Sequence, residues 1–104
     1  MEIIVSGRHL DITDAIREYA SEKMSKLPRY FDRIQSIEVI AAKAERNEMA
    51  VEVIVHAEHT DPFIVHTHHE DLYACFDEAA KKLERQLTDH KEKLRNRKHS
   101  TPKQ

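Results

Sequence analysis

Ten residues in the middle of the chain, Glu48 to Ala57 (EMAVEVIVHA), alternate strictly. Met49, Val51, Val53 and Val55 fall on one face of an extended strand; Ala50, Glu52, Ile54 and His56 fall on the other. A strand with period two and one apolar face belongs to a sheet covered on one side only. Whatever helices the chain forms must therefore lie together on the valine side.

The neighbouring segments supply the rest of that sheet. Glu2 to Gly7 (EIIVSG) is a short apolar run closed by the only glycine and reads as a first strand. Ser36 to Ala44 (SIEVIAAKA) is an apolar strand, and Glu45-Arg46-Asn47 forms a tight polar turn after it. His59-Thr60-Asp61-Pro62 connects to a fourth strand, Phe63 to His69, with Phe63, Val65 and Thr67 opposite Ile64, His66 and His68. That phase leaves Glu52, His56, His66 and His68 on the solvent side.

Two helices complete the order. Thr13 is a good N-cap, and Asp14 places a negative charge in the first turn. From Asp14 to Leu27 the apolar residues Ile16, Tyr19, Ala20, Met24 and Leu27 share one helix face, and Pro28 ends the helix near there. Glu70-Asp71 opens a long second helix, whose Leu72, Phe76, Ala79, Leu83, Leu87 and Leu94 form an inner stripe. Its opposite arc holds Lys81, Lys82, Arg85 and Lys93. The expected fold is α+β, in the order β-α-β-β-β-α. Its four-stranded mixed sheet has strands one and two parallel through a right-handed crossover, and both helices pack on one face. One domain spans residues 1–95, and 96–104 form a disordered basic tail with almost no apolar residue.

Composition excludes several functions. With one glycine among 104 residues there is no glycine-rich phosphate loop or dinucleotide fingerprint. One cysteine, Cys75, permits no intrachain disulfide and argues against a cysteine-based zinc site; a reducing, cytoplasmic setting is the simplest reading. No apolar run reaches the roughly 18 residues of a membrane span, and the N-terminus lacks the pattern of a signal peptide. No nucleophile elbow is present, and Glu45 with Glu48 lie in a turn without a pocket, so neither an enzyme nor a cofactor is expected.

The net charge of −2 conceals a strong asymmetry. Residues 1–78 carry 8 Lys and Arg against 16 Asp and Glu; residues 79–104 carry 9 against 3. Lys82, Gln86, Asp89 and Lys93 recur along one flank of the second helix, with Arg85 beside them, while His90 sits nearer the apolar side, facing helix one or solvent. Lys23 and Lys26 flank Tyr19 on the first helix, and Arg29 and Arg33 follow it. Two such rows side by side would make a phosphate-tracking surface that recognises RNA by shape. The bland alternative is a solvated helix face. Histidines offer another site: His66 and His68 project from one strand face, near His56, and suit an incidental surface metal site. No carboxylate partner for them is evident from the sequence.

The segments IVSGRHLDIT, DITDAIREYASEKMSKLPRYFDRI and DLYACFDEAAKKLERQLTDHKEKLR closely resemble the ribosome hibernation promoting factor family over about residues 1–95. The resemblance implies the same β-α-β-β-β-α fold. It also implies binding in the decoding channel of the small ribosomal subunit, over the mRNA and tRNA sites, in stationary phase. By the same resemblance the rRNA-facing residues are Lys82, Arg85, Gln86, His90 and Lys93, with Lys23 and Lys26; the charge pattern adds Arg29. Asp89 stands where the family commonly has lysine, Cys75 where alanine is usual, and His68 and His69 where small or acidic residues are common. The short basic tail and the lack of a C-terminal dimerisation domain resemble the short subtype. That subtype acts beside a separate ribosome modulation factor when ribosomes pair into inactive dimers. A general structured-RNA binder and a metal-binding stress protein are the alternative readings.

Overall fold

A computed structural model describes the backbone of residues 1–99 and the side chains of residues 1–96. The elements follow the expected order: β1 (Glu2–Arg8), α1 (Asp14–Met24), a 3-10 turn (Leu27–Arg29), β2 (Ile34–Lys43), β3 (Met49–Ala57), β4 (Phe63–His69) and α2 (Leu72–His99). The sheet runs β1-β2-β3-β4, with β1 parallel to β2 and the other pairs antiparallel. Val51, Val53 and Val55 are buried, together with Ile37, Val39, Ala41 and Val65 from the flanking strands. Ala20 and Met24 of α1 and Cys75, Phe76, Ala79, Leu83 and Leu87 of α2 close the core from the same side. The one-sided alternation of β3 thus sets where both helices sit.

Local chemistry explains the boundaries. Thr13 caps α1, its Oγ1 accepting from Ile16 N at 3.2 Å. The helix stops at Met24, three residues before the expected end, because Pro28 supports a 3-10 turn in which Leu27 stays buried. Asp71 begins α2 by accepting from Tyr73 N at 3.0 Å, and the Asp71 N–H donates to His69 Nδ1 at 3.0 Å. Thr67, the one buried polar residue among the described residues, donates to the Cys75 carbonyl at 3.1 Å and ties β4 to α2. A Cβ at Gly7 would collide with the Leu10 carbonyl, so only glycine lets the chain fold back after β1.

The far end of α2 departs from expectation. Leu94 is 37% exposed and anchors nothing. The last residue of α2 against the sheet side is His90, whose ring lies 5.2 Å from both Phe31 and Phe63. Beyond it every described side chain through Asn96 is exposed. The stripe continues in sequence after the sheet has run out. No helix breaker occurs before Pro102, and α2 continues to His99; residues 100–104 of the tail lie outside the described residues.

The β2–β3 hairpin carries a strained pair. Arg46 and Asn47 have φ of 61° and 63°, and Glu48 N donates to Glu45 O at 3.2 Å. This is a mirror-image two-residue turn, suited to the twist of the strands but steeply disfavoured for arginine. Arg46→Gly should therefore stabilise the fold by about 1 kcal/mol, raising the thermal midpoint by roughly 4–8 °C. Calorimetry checks this, and an unchanged or lower midpoint would show that the turn is not strained.

Both outer strands are guarded by a helix. Arg17 of α1 donates to the Val5 carbonyl on β1 at 2.9 Å, and Lys82 of α2 donates to the His66 carbonyl on β4 at 3.3 Å.

Candidate nucleic-acid interface

The two helices lie side by side, and one carboxylate joins them. Tyr19 donates its hydroxyl to Asp77 Oδ1 at 2.7 Å, and Lys23 Nζ reaches the same oxygen at 3.2 Å. Tyr73 meets Tyr19 edge to face, with centroids 4.8 Å apart, and Lys23 Nζ stands 5.6 Å from the Tyr19 ring centre. The Tyr19 hydrogen bond, aided by Lys23, holds the Asp77 carboxyl below its ordinary value against the opposing effect of partial burial. The same carboxylate raises Tyr19 and Lys23 above theirs.

The pH consequence has a definite sign. A carboxyl with a depressed value stabilises the fold fully above its ordinary value, near 3.8, and loses that contribution as pH falls through the depressed one. Tyr19 and Lys23, both raised, contribute below their ordinary values and lose it as pH climbs through the raised ones. Asp77→Asn should therefore flatten stability against pH on the acid side below about pH 4. Denaturant unfolding from pH 2 to 7 reads this out; an acid limb identical to the parent's would show that the link contributes nothing.

Beside this latch runs a groove of about 320 Å³, lined by Lys23, Lys26, Tyr30, Asp77, Lys81 and Glu84. Lys81 also lines two shallow hollows on α2, one with Lys82 and Arg85 and one with Arg85 and Asp89. It is thus the central cation of the surface. Placing it needs the position of α1, although the helical arc that holds Lys82 and Arg85 already included it. Long cationic side chains flanking a groove can neutralise successive phosphates without reading bases.

The family model described as Sigma 54 modulation protein / S30EA ribosomal protein matches residues 3–95. The chain belongs to this family. A ribosome hibernation promoting factor of Azotobacter vinelandii is 44% identical over 93 residues, covering 89% of this chain and 85% of that one. One from Escherichia coli K12 is 36% identical over 101 residues, covering 91% and 98%. Among solved structures, the Protein Y N-terminal domain of Thermus thermophilus aligns with a TM-score of 0.78 at 34% identity, covering 86% of this chain and 99% of that one. A ribosomal subunit interface protein from Coxiella burnetii aligns with a TM-score of 0.80 at 26% identity, covering 88% and 98%.

In this S30EA family member the expected RNA-facing residues do not form one equal row. Lys26, Arg29, Arg85 and Lys93 are exposed. Lys82 is exposed but leans on the β4 edge, and Lys23 is committed to Asp77. Gln86 is half-buried, and His90 is held between Phe31 and Phe63. Glu78, Glu84 and Asp89 interrupt the cations. The histidines lie elsewhere, on the outer sheet face. His56 Nε2 is 3.0 Å from Glu38 Oε2 and His66 Nε2 is 3.0 Å from Glu52 Oε2, so carboxylate partners exist that the sequence did not reveal. His68 is exposed on the same face. Among the described residues, no three His, Cys, Asp or Glu side chains are placed to hold one metal ion. Cys75 is buried, and desolvation pushes its thiol up, which suits a core residue rather than a nucleophile. Among the described residues no helix is long and apolar enough to cross a membrane.

Proposed function

We propose that this chain is a cytoplasmic ribosome hibernation factor. It binds rRNA in the decoding channel of the small subunit through the α1–α2 surface and blocks the mRNA and tRNA sites. It acts beside a separate modulation factor as ribosomes pair into inactive dimers, and it performs no catalysis. The observation that carries the reading is the cationic groove around Lys81, in a chain whose relatives are named ribosome hibernation promoting factors. Lys26, Lys81, Arg85 and Lys93 are its phosphate contacts. The acidic body does not prevent binding, since screening at physiological salt acts over roughly 8 Å.

Sucrose-gradient sedimentation with purified ribosomes, with and without excess free RNA, tests the reading. The chain should travel with the small subunit and resist competition by free RNA. Displacement by any structured RNA would favour a general RNA binder. With four phosphate contacts, affinity should fall roughly a hundredfold between about 50 and about 200 mM salt. A flat salt response would contradict a phosphate-dominated contact. Dimer formation should appear only when the modulation factor is also added.

A further inference from the structure

The helices leave the opposite face of the sheet uncovered, and that face is not the polar surface its histidines suggest. Ile4 and Ile64 are each 47% exposed, and Ile40 and Ile54 are half-buried beside them. The register joins these four. Ile54 pairs with Ile64, and Ile40, opposite Glu52, is one diagonal step from both Ile4 and Ile54, which flank Glu38 on either side. A broken apolar band therefore crosses all four strands. Next to it, the paired Ala42 and Ala50 help line a hollow of about 210 Å³, with Arg8, Ile40, Glu52, His66 and His68 around them.

The charge on this face is opposite to that on the helices. Among the described residues, Glu2, Glu38 and Glu52 point outward, against a single guanidinium, Arg8. Glu38 and Glu52 each lie 3.0 Å from an imidazole nitrogen, of His56 and His66 respectively. Phosphates and anionic lipids are repelled here, and a second copy would bring the same carboxylates. A segment rich in lysine and arginine, with apolar side chains between them, matches both the band and the sign of the charge.

We propose that the outer sheet face docks a basic, partly apolar segment of a ribosomal protein while the helices engage rRNA. This rests on the ribosome-binding reading above. The two surfaces lie on opposite sides of the sheet, so one molecule can hold RNA and protein at once.

A benzophenone attached at Ile64→Cys, with purified small subunits, tests the proposal; Cys75 is buried and remains unlabelled. Irradiation should crosslink position 64 to a basic ribosomal protein. Adding Glu38→Lys and Glu52→Lys should cut that yield at least tenfold and weaken subunit binding to a similar degree. Binding of the same variant to protein-free small-subunit rRNA should match or exceed the parent's, and an unchanged circular-dichroism spectrum shows that it is folded. Ile64→Ser, which alters no charge, should weaken subunit binding alone. Crosslinks to RNA or to a second copy, no crosslink, or unchanged subunit affinity in these variants would overturn the proposal while leaving the ribosome-binding reading intact. A parent that fails to sediment with subunits would overturn both.

Discussion

Arg85→Glu should lower affinity for the small ribosomal subunit at least about tenfold, with an unchanged circular-dichroism spectrum. Arg85 is exposed on α2 and, among the described residues, makes no ion pair. Its removal costs the core nothing. A charge-assisted contact to a phosphate is worth on the order of 1.5–3 kcal/mol, and reversal adds repulsion to that loss. Asp89→Lys should act in the opposite direction, because Asp89 is an exposed acid in the same hollow as Lys81 and Arg85. Measured side by side on purified subunits, the pair brackets the surface. If both folded variants bind like the parent, α2 is not the RNA-facing element.

The largest loss of stability is expected from Phe76→Ala. Phe76 is fully buried between sheet and helices, with its ring 6.3 Å from Tyr19 and 6.5 Å from Tyr73. Truncating a buried phenylalanine costs about 3–5 kcal/mol, a large part of the roughly 5–15 kcal/mol that holds a domain together. The thermal midpoint should fall by more than about 12 °C. Loss of this ring also frees Tyr19 and Tyr73, so the spacing of the lysines on α1 and α2 should loosen before the chain unfolds. Leu94→Ala, on the same stripe but past the sheet, should change stability by less than about 0.5 kcal/mol. Equal effects at positions 76 and 94 would contradict the packing described here.

Phe76 and Leu94 also mark what the sequence makes legible. Periodicity identifies a helix face, and for Phe76, Leu83 and Leu87 that face is the core. It does not tell where the sheet ends, so Leu94 reads the same and is exposed. The alternation of Val51, Val53 and Val55 states which side the helices occupy, and Thr13 states where α1 begins. Pairings across the chain are different in kind. Tyr19 and Asp77 are 58 residues apart, and their bond exists only because two helices with separate signals settle side by side. Glu38 meets His56 and Glu52 meets His66 through strand register, which no single strand encodes. His90 lay near the boundary of its stripe, and Phe31 with Phe63 decided its side.

The two guarded edges bear on how the protein behaves when crowded with its own copies. An open strand offers a row of unpaired amides and carbonyls to any identical strand, and a sheet with two such edges can grow without limit into fibrils. Here a copy approaching β1 must first strip the guanidinium of Arg17 from Val5. One approaching β4 must strip the ammonium of Lys82 from His66. Each approach leaves a cation without its acceptor and presses it against the incoming strand. Two side chains borrowed from the helices thus make end-to-end polymerisation costly from either direction, while β1 and β4 keep all the sequence they need to close the core.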